Sequence, residues 1–229
     1  MLIILTASLL PVVVLLVYIY RKDQYQKEPL PLLLKALLGG ALAGIMDIAL
    51  LTLLRSFEVT TFASPMHHAL YQAFCQAALP EELCKLFFLY LFIWNSKYFD
   101  EYYDGLEYAA CVGLGFAGLE NFMYVLEGGI AVAVGRALFA VPAHFFFAIF
   151  MGYFFALAKF RRNKKHTYLF LAFIVPVILH GIYDFILMYN DFIQQTNTAV
   201  ASLLNLVFYI FFIFVWKIAA RRINTMSGQ

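Results

Sequence analysis

Charge is scarce in this chain: 13% of its 229 residues are Asp, Glu, Lys or Arg, against roughly 25% in an ordinary soluble domain. That scarcity excludes a soluble domain of any size. The formal net charge of +2 is too small for an electrostatic grip on nucleic acid, and the basic residues sit near helix ends at lipid-headgroup level. No nucleic-acid partner is expected. Three cysteines, Cys75, Cys84 and Cys111, stand in apolar segments without a CxxC pair, which excludes a disulfide framework and a thiolate zinc cluster. They read as small buried hydrophobes. A glycine-rich phosphate loop and a soluble HExxH helix are also missing, and no membrane-facing serine is paired with His or Lys at helical spacing.

What the chain has is apolar length. Hydrophobic residues make up 64% of it, enough for one membrane-embedded domain spanning residues 1–229. Apolar runs bounded by charged or turn-rich segments predict an all-α bundle of about seven spans, near 2–20, 32–54, 66–94, 105–127, 131–158, 167–189 and 199–220. The third run is about 43 Å long at the helical rise and must tilt, kink or project beyond the bilayer. Pro80, just before paired glutamates, is its expected kink.

The first run resembles a signal peptide only superficially. No basic residue precedes it, no small-residue cleavage site follows, and Arg21 and Lys22 come directly after it, so a retained helix is expected. In a seven-span arrangement the basic residues, among them Arg21, Lys22, Lys97, Lys159, Arg161, Arg162, Arg221 and Arg222, share one side, while Arg55 and Arg136 fall on the other. The positive-inside rule then puts the N-terminus outside and the C-terminus in the cytoplasm. The run from Lys159 to His166 becomes a solvated cytoplasmic loop.

Against this background the intramembrane polar residues stand out, since one ionisable side chain at the bilayer centre costs about 2.5–3.5 kcal/mol. Glu81, His144 and His180 fall near the middle of their spans, and Glu120 and Asp184 somewhat toward the outer face. Four helices thus carry polar groups to a similar depth, which points to one convergent site. Glu81 and Lys85, four residues apart, share a helix face, and Glu82 approaches Lys85 from three residues away. One carboxylate can be balanced by the ammonium while the other acts as base or ligand; a plain intrahelical ion pair needs only one glutamate.

Glu120 and Asn121 end a stripe of small residues, Gly113, Gly115 and Gly118, which draws a partner helix close by packing alone. His144 is followed by Phe145, Phe146 and Phe147 and, taken singly, reads more readily as a satisfied core residue than as a ligand. His180 and Asp184, four apart, occupy one face, so the carboxylate can orient the imidazole or join it at a metal. Together the histidines and glutamates form a mixed nitrogen and oxygen set suited to zinc with a position left for water. Asp47 is isolated and reads as an interhelical hydrogen-bonding group, and His67 and His68 lie near the outer end of the third run.

The ordered set Glu81-Glu82-x-x-Lys85, Tyr103-Asp104-Gly105-Leu106-Glu107-Tyr108, Phe116-x-x-x-Glu120-Asn121, His144 and His180-Gly181-x-x-Asp184 resembles the PrsW-type intramembrane proteases, themselves distantly similar to the CAAX prenyl endopeptidases. It covers residues 80–185 or so, with helices of unspecific sequence on either side. The resemblance implies a multi-pass peptidase of the bacterial cell membrane, generally regarded as a metalloprotease. It implies a single-span membrane protein as substrate, such as an anti-sigma factor receiving its first cut on the extracytoplasmic side. On that footing Glu81 is expected as general base and Glu82 as its partner, balanced by Lys85. Glu120, His144 and His180 are expected as zinc ligands, with Asp184 and Asn121 supporting them from behind. A metal-free mechanism would use His144 or His180 as oxyanion donor. The rivals are a proton-coupled transporter, which should show an internal repeat of the polar pattern, and a non-catalytic scaffold.

Overall fold

The computed structural model describes residues 2–23, 26–55, 59 and 61–227, and every regular element among them is helical. The order is α1 (Leu2–Lys22), α2 (Leu30–Leu54), α3 (Pro65–Tyr71), a π-helical segment (Gln72–Ala78), α4 (Leu79–Ile93), α5 (Tyr102–Leu138), α6 (Ala140–Phe160), a single 3-10 turn (Arg162–Lys164), α7 (Lys165–Gln194) and α8 (Thr198–Met226). Among the described residues five helical stretches are long and apolar enough to cross a membrane, one of them the 59-residue stretch Tyr102–Phe160. Large apolar side chains such as Leu34, Leu38, Leu203 and Ile210 stand exposed on α2 and α8, the surface that lipid would cover.

The third run is one continuous helical rod from Pro65 to Ile93, but its irregularity lies ahead of Pro80 instead of at it. Proline has no N–H to give and its ring clashes with the carbonyl four residues back. The widened winding just upstream accommodates this, and the Leu79 N–H reaches back to the Phe74 carbonyl. Cys84 and Cys111 are buried as expected, whereas Cys75, on the π-helical segment, is exposed.

Residues 102–160 form a hairpin. Gly129 adopts φ 72°, ψ −162°, a conformation that glycine reaches without steric cost, and beyond it the chain doubles back. Gly105 and Gly152 lie against each other, Gly113 lies against Ala148, and Arg136 returns to touch Glu120. The returning arm is irregular again at Phe139, where α6 begins.

The outgoing arm of α5 is the axis of the bundle, with nearly every residue from Tyr103 to Gly118 buried. It is gripped by small residues on both sides. A Cβ on Gly40 of α2 would lie 1.9 Å from the Val112 carbonyl oxygen, and one on Gly115 of α5 would lie 2.0 Å from that of Leu37. Backbone therefore packs on backbone, the geometry that small residues allow between helices in lipid. At one end, Lys22 donates to Asn224 Oδ1 (2.9 Å) and Lys159 to the Trp94 carbonyl (2.6 Å), which gathers the ends of α1, α8, α4 and α6.

Substituting Gly115→Val should therefore force α2 away from α5, destabilising by about 1–3 kcal/mol or more. Gly118→Ala, whose Cβ would meet only Val12 and Leu9 side-chain carbons at 3.6 Å and beyond, should be near neutral. Thermal unfolding in lipid nanodiscs checks the contrast, and equal effects of the two substitutions would refute the close α2–α5 packing.

Candidate active site

The first turns of α4, with α5, α6 and α7, bring the intramembrane polar residues to one place. Lys85 is at its centre. Its ammonium donates to Glu82 Oε1 at 2.7 Å, Glu81 Oε2 at 3.2 Å and His144 Nδ1 at 3.1 Å, and it lies 4.0 Å from the centre of the Phe116 ring. Glu82 and Lys85 are 1% and 2% exposed. The helical spacing predicted both ion pairs; the contact with His144 joins α4 to α6.

An ammonium can only donate, so His144 Nδ1 accepts and Nε2 carries the hydrogen. That N–H points at Glu120 Oε2, 2.8 Å away. His180 is arranged in parallel, with Nδ1 2.9 Å from Glu82 Oε1 and Nε2 3.1 Å from Asp184 Oδ2. Each imidazole thus turns one nitrogen inward and holds the other on a carboxylate, the pairing that fixes ring orientation and tautomer in metal-ligating histidines. The rings stand at 88° to each other with centroids 5.2 Å apart, and Phe147 stacks on His180 at 5.0 Å. Gly181 presses against the Phe74 ring, where a Cβ would come within 2.3 Å. The π-helical segment thereby seats α7 at the level of His180.

Glu120 is not in the inner group. It receives the His144 N–H together with Arg136 Nη2 at 2.7 Å, while Arg136 Nε donates to Asn121 Oδ1 at 3.0 Å. Asn121 in turn donates to the Ser8 carbonyl at 2.7 Å, so it ties α1 to α5 and holds Arg136 without touching either histidine. In the sequence Arg136 reads only as one of two basic residues on the outer side. The signal that could have found it is an arginine in an apolar run that a glycine turn returns to Glu120. Asp47 is buried, and its Oδ1 makes no hydrogen bond among the described residues. Ser64 caps α3 by accepting the His67 N–H and meets His67 Nδ1 at 2.7 Å, and His68 stacks on Phe62, both outside the cluster.

A cavity of about 420 Å³ opens onto this cluster, lined by Glu81, Glu120, Arg136, His144, His180 and Asp184 among apolar walls that include Phe139, Phe147 and Tyr183. Glu81 faces the cavity, whereas Glu82 lies behind it. A buried carboxylate beside two oriented imidazoles on an apolar chamber can activate a water and shield the reaction from bulk solvent.

The model of the PrsW family of intramembrane metalloproteases matches residues 28–217. The chain belongs to this family. It is 41% identical over 187 residues to the protease PrsW of Geobacillus kaustophilus, covering 82% of this chain and 80% of that protein. It is 37% identical to that of Clostridioides difficile (79% and 77% covered) and 32% identical to that of Bacillus subtilis over 222 residues (96% and 93% covered). No solved structure matches the chain.

Membership makes the chain a membrane-embedded metalloprotease, and the donors fit a metal. Glu81, Glu82, His144 and His180, all buried, each offer one ligand atom within 4.8 Å of the others. Glu82 Oε2 has no hydrogen-bond partner among the described residues. His180 Nδ1 lies 2.9 Å from Glu82 Oε1 and Nε2 3.1 Å from Asp184 Oδ2; carboxylates only accept, so a neutral imidazole leaves one of the two contacts without a hydrogen, a gap that a second proton or a cation fills. Two nitrogens and carboxylate oxygens form a set that zinc accepts.

Removing one member of the buried ion-pair network should be costly. Lys85→Met should destabilise by about 3–5 kcal/mol because it strands two carboxylates, and Glu82→Gln should destabilise as well. The double variant should lose clearly less than the sum. A double-mutant cycle read by denaturation in lipid checks this, and strict additivity would show that the two residues do not act as a pair.

Proposed function

We propose that the chain makes the first cut in a single-span membrane protein, such as an anti-sigma factor, from within the bacterial cell membrane and near its extracytoplasmic side. Seven crossings serve this role: α1, α2, the rod from Pro65 to Ile93, the two arms of the 102–160 hairpin, α7 and α8. The gathering of Lys22 and Lys159 at one end and the place of Arg136 beside the cavity support an outer N-terminus and a cytoplasmic C-terminus. The bacterial sources of the relatives support the choice of membrane.

The observation that carries the reading is Glu81 on the wall of an apolar cavity, beside two imidazoles each backed by a carboxylate. Glu81 is the general base. Its carboxylate takes a proton from the attacking water and passes it to the amine nitrogen as the peptide C–N bond breaks. Glu82, His144 and His180 would hold zinc, which when bound supplies Lewis acidity and lowers the pKa of a water toward about 7. Glu120 acts on His144 as Asp184 acts on His180, orienting the ring. In this reading Glu120 orients His144 instead of serving as the metal ligand expected from the sequence, a choice supported by its contact with the ring nitrogen opposite the one that Lys85 holds. Lys85 keeps Glu82 ionised and in place. Arg136, at the cavity wall, fixes Glu120 and presents a positive group to the substrate backbone.

Cleavage of a panel of single-span membrane proteins by the purified protein in lipid tests this. Glu81→Gln and His180→Ala should each lower the rate of a specific cut by about 100-fold or more while remaining folded. Chelation should abolish the cut in the wild type and zinc should restore it. A cut that survives both substitutions would place the chemistry elsewhere.

A further inference from the structure

The cavity runs beyond the catalytic cluster to α8, where a polar pair lies that the cleavage chemistry does not use. α7 and α8 form a hairpin whose turn is closed by Asn197, which accepts the Val200 N–H at 3.1 Å. Across this hairpin Asn190 Nδ2 donates to Asn205 Oδ1 at 3.1 Å. Asn190 is buried, 8% exposed, whereas Asn205 is exposed and stands on the cavity wall with Phe208 and Tyr209. Phe208, one turn on, packs against the Tyr183 ring with centroids 5.2 Å apart. This face of α8 therefore adjoins the part of α7 that carries Asp184.

An amide pair between membrane helices can be a clasp and nothing more. A carboxamide has two donor hydrogens and an acceptor oxygen, so two that serve only each other can pair through two hydrogen bonds. These two share one. Asn190 Oδ1 is buried without a hydrogen-bond partner, and Asn205 Nδ2 donates to no other group among the described residues. Exchanging oxygen and nitrogen in both amides keeps the shared bond and still leaves Asn205 one free group. Asn205 is the single side-chain amide on the cavity wall among the described residues, and Asn190 holds it in place.

A peptide that enters the chamber to be cut must leave its helix at the scissile bond, and each main-chain N–H and C=O so freed needs a partner in apolar surroundings. Leu187, Met188 and Phe208 cannot supply one on this stretch of wall; Asn205 can. Asn190, its partner, lies six residues beyond Asp184 on α7, about 9 Å of helix, a length that about three residues of extended chain cover. We propose that Asn205 binds the main chain of the substrate about three residues from the bond that is cut, so that α8 helps to set where the cut falls. The inference rests on the cavity being the cleavage chamber.

Replacing main-chain amides of the substrate tests this. The probe is a synthetic single-span peptide taken from a panel protein that the wild type cuts, made as a set with one amide at a time replaced by an ester, which removes the N–H and weakens the C=O as an acceptor. With enzyme in nanodiscs, one ester about two to four residues from the cut should raise KM about fivefold or more and leave kcat within about twofold. Asn205→Leu should raise KM for the all-amide peptide by a similar factor and lose the sensitivity to that ester, while Asn190→Leu, which leaves Asn205 present, should raise KM less. Equal effects of the two substitutions on KM and thermal unfolding, with ester sensitivity kept in both, are the signature of a clasp and overturn the proposal. So does a wild type indifferent to every ester in that window, whether or not the variants fold. A normal specific cut that ignores Asn205 contradicts this inference alone, whereas a wild type that cuts no panel protein contradicts the cleavage reading and this inference with it.

Discussion

A charge inside a bilayer persists only if its neighbours neutralise it, and the centre of this protein is organised around that requirement. Lys85 places an ammonium among Glu81, Glu82 and His144. The two glutamates and the lysine come from adjacent turns of one helix, while the histidine comes from another. Removing any of them leaves a partner uncompensated in a medium where desolvation alone costs several kcal/mol per ion. The outer ring of contacts, Glu120 with Arg136 and His180 with Asp184, extends the same principle to the polar groups around them. In the proposed mechanism stability and chemistry therefore draw on the same residues, and the donors that satisfy one another are also those that would accept a metal ion.

Assembly of such a cluster needs helices close enough for short side chains to meet. The glycines along α2 and α5 let backbone approach backbone, and Gly113 with Ala148 does the same between the arms of the hairpin. The turn at Gly129 brings Arg136 back over Glu120. Without that reversal the two residues, sixteen apart in sequence, would be separated by about 24 Å along a straight helix.

Much of this was legible in the sequence, for physical reasons. Apolar runs interrupted by carboxylates and imidazoles at matching depth announce a shared interior site, and i,i+3 and i,i+4 spacings announce the pairs made by Lys85 and by His180 with Asp184. The family pattern was legible too, since its motifs are short, ordered and chemically specific. Three features escaped. The widened winding at Gln72–Ala78 compensates Pro80 from upstream, and periodicity does not distinguish it from regular helix. Arg136 joined the site only through a tertiary reversal. The facing of Glu120, toward the outward nitrogen of His144, depends on ring orientation that Lys85 sets from another helix.

The proposed metal site draws on α4, α6 and α7 and is built from two imidazoles and carboxylates, each imidazole backed by an acidic residue. X-ray absorption at the metal edge of protein purified from membranes measures this most directly. Stoichiometric metal in a shell of nitrogen and oxygen with two imidazoles, falling to one in His180→Ala, is the expected result. Sulfur ligation, a shell without imidazole, or metal content unaffected by loss of His180 would contradict it.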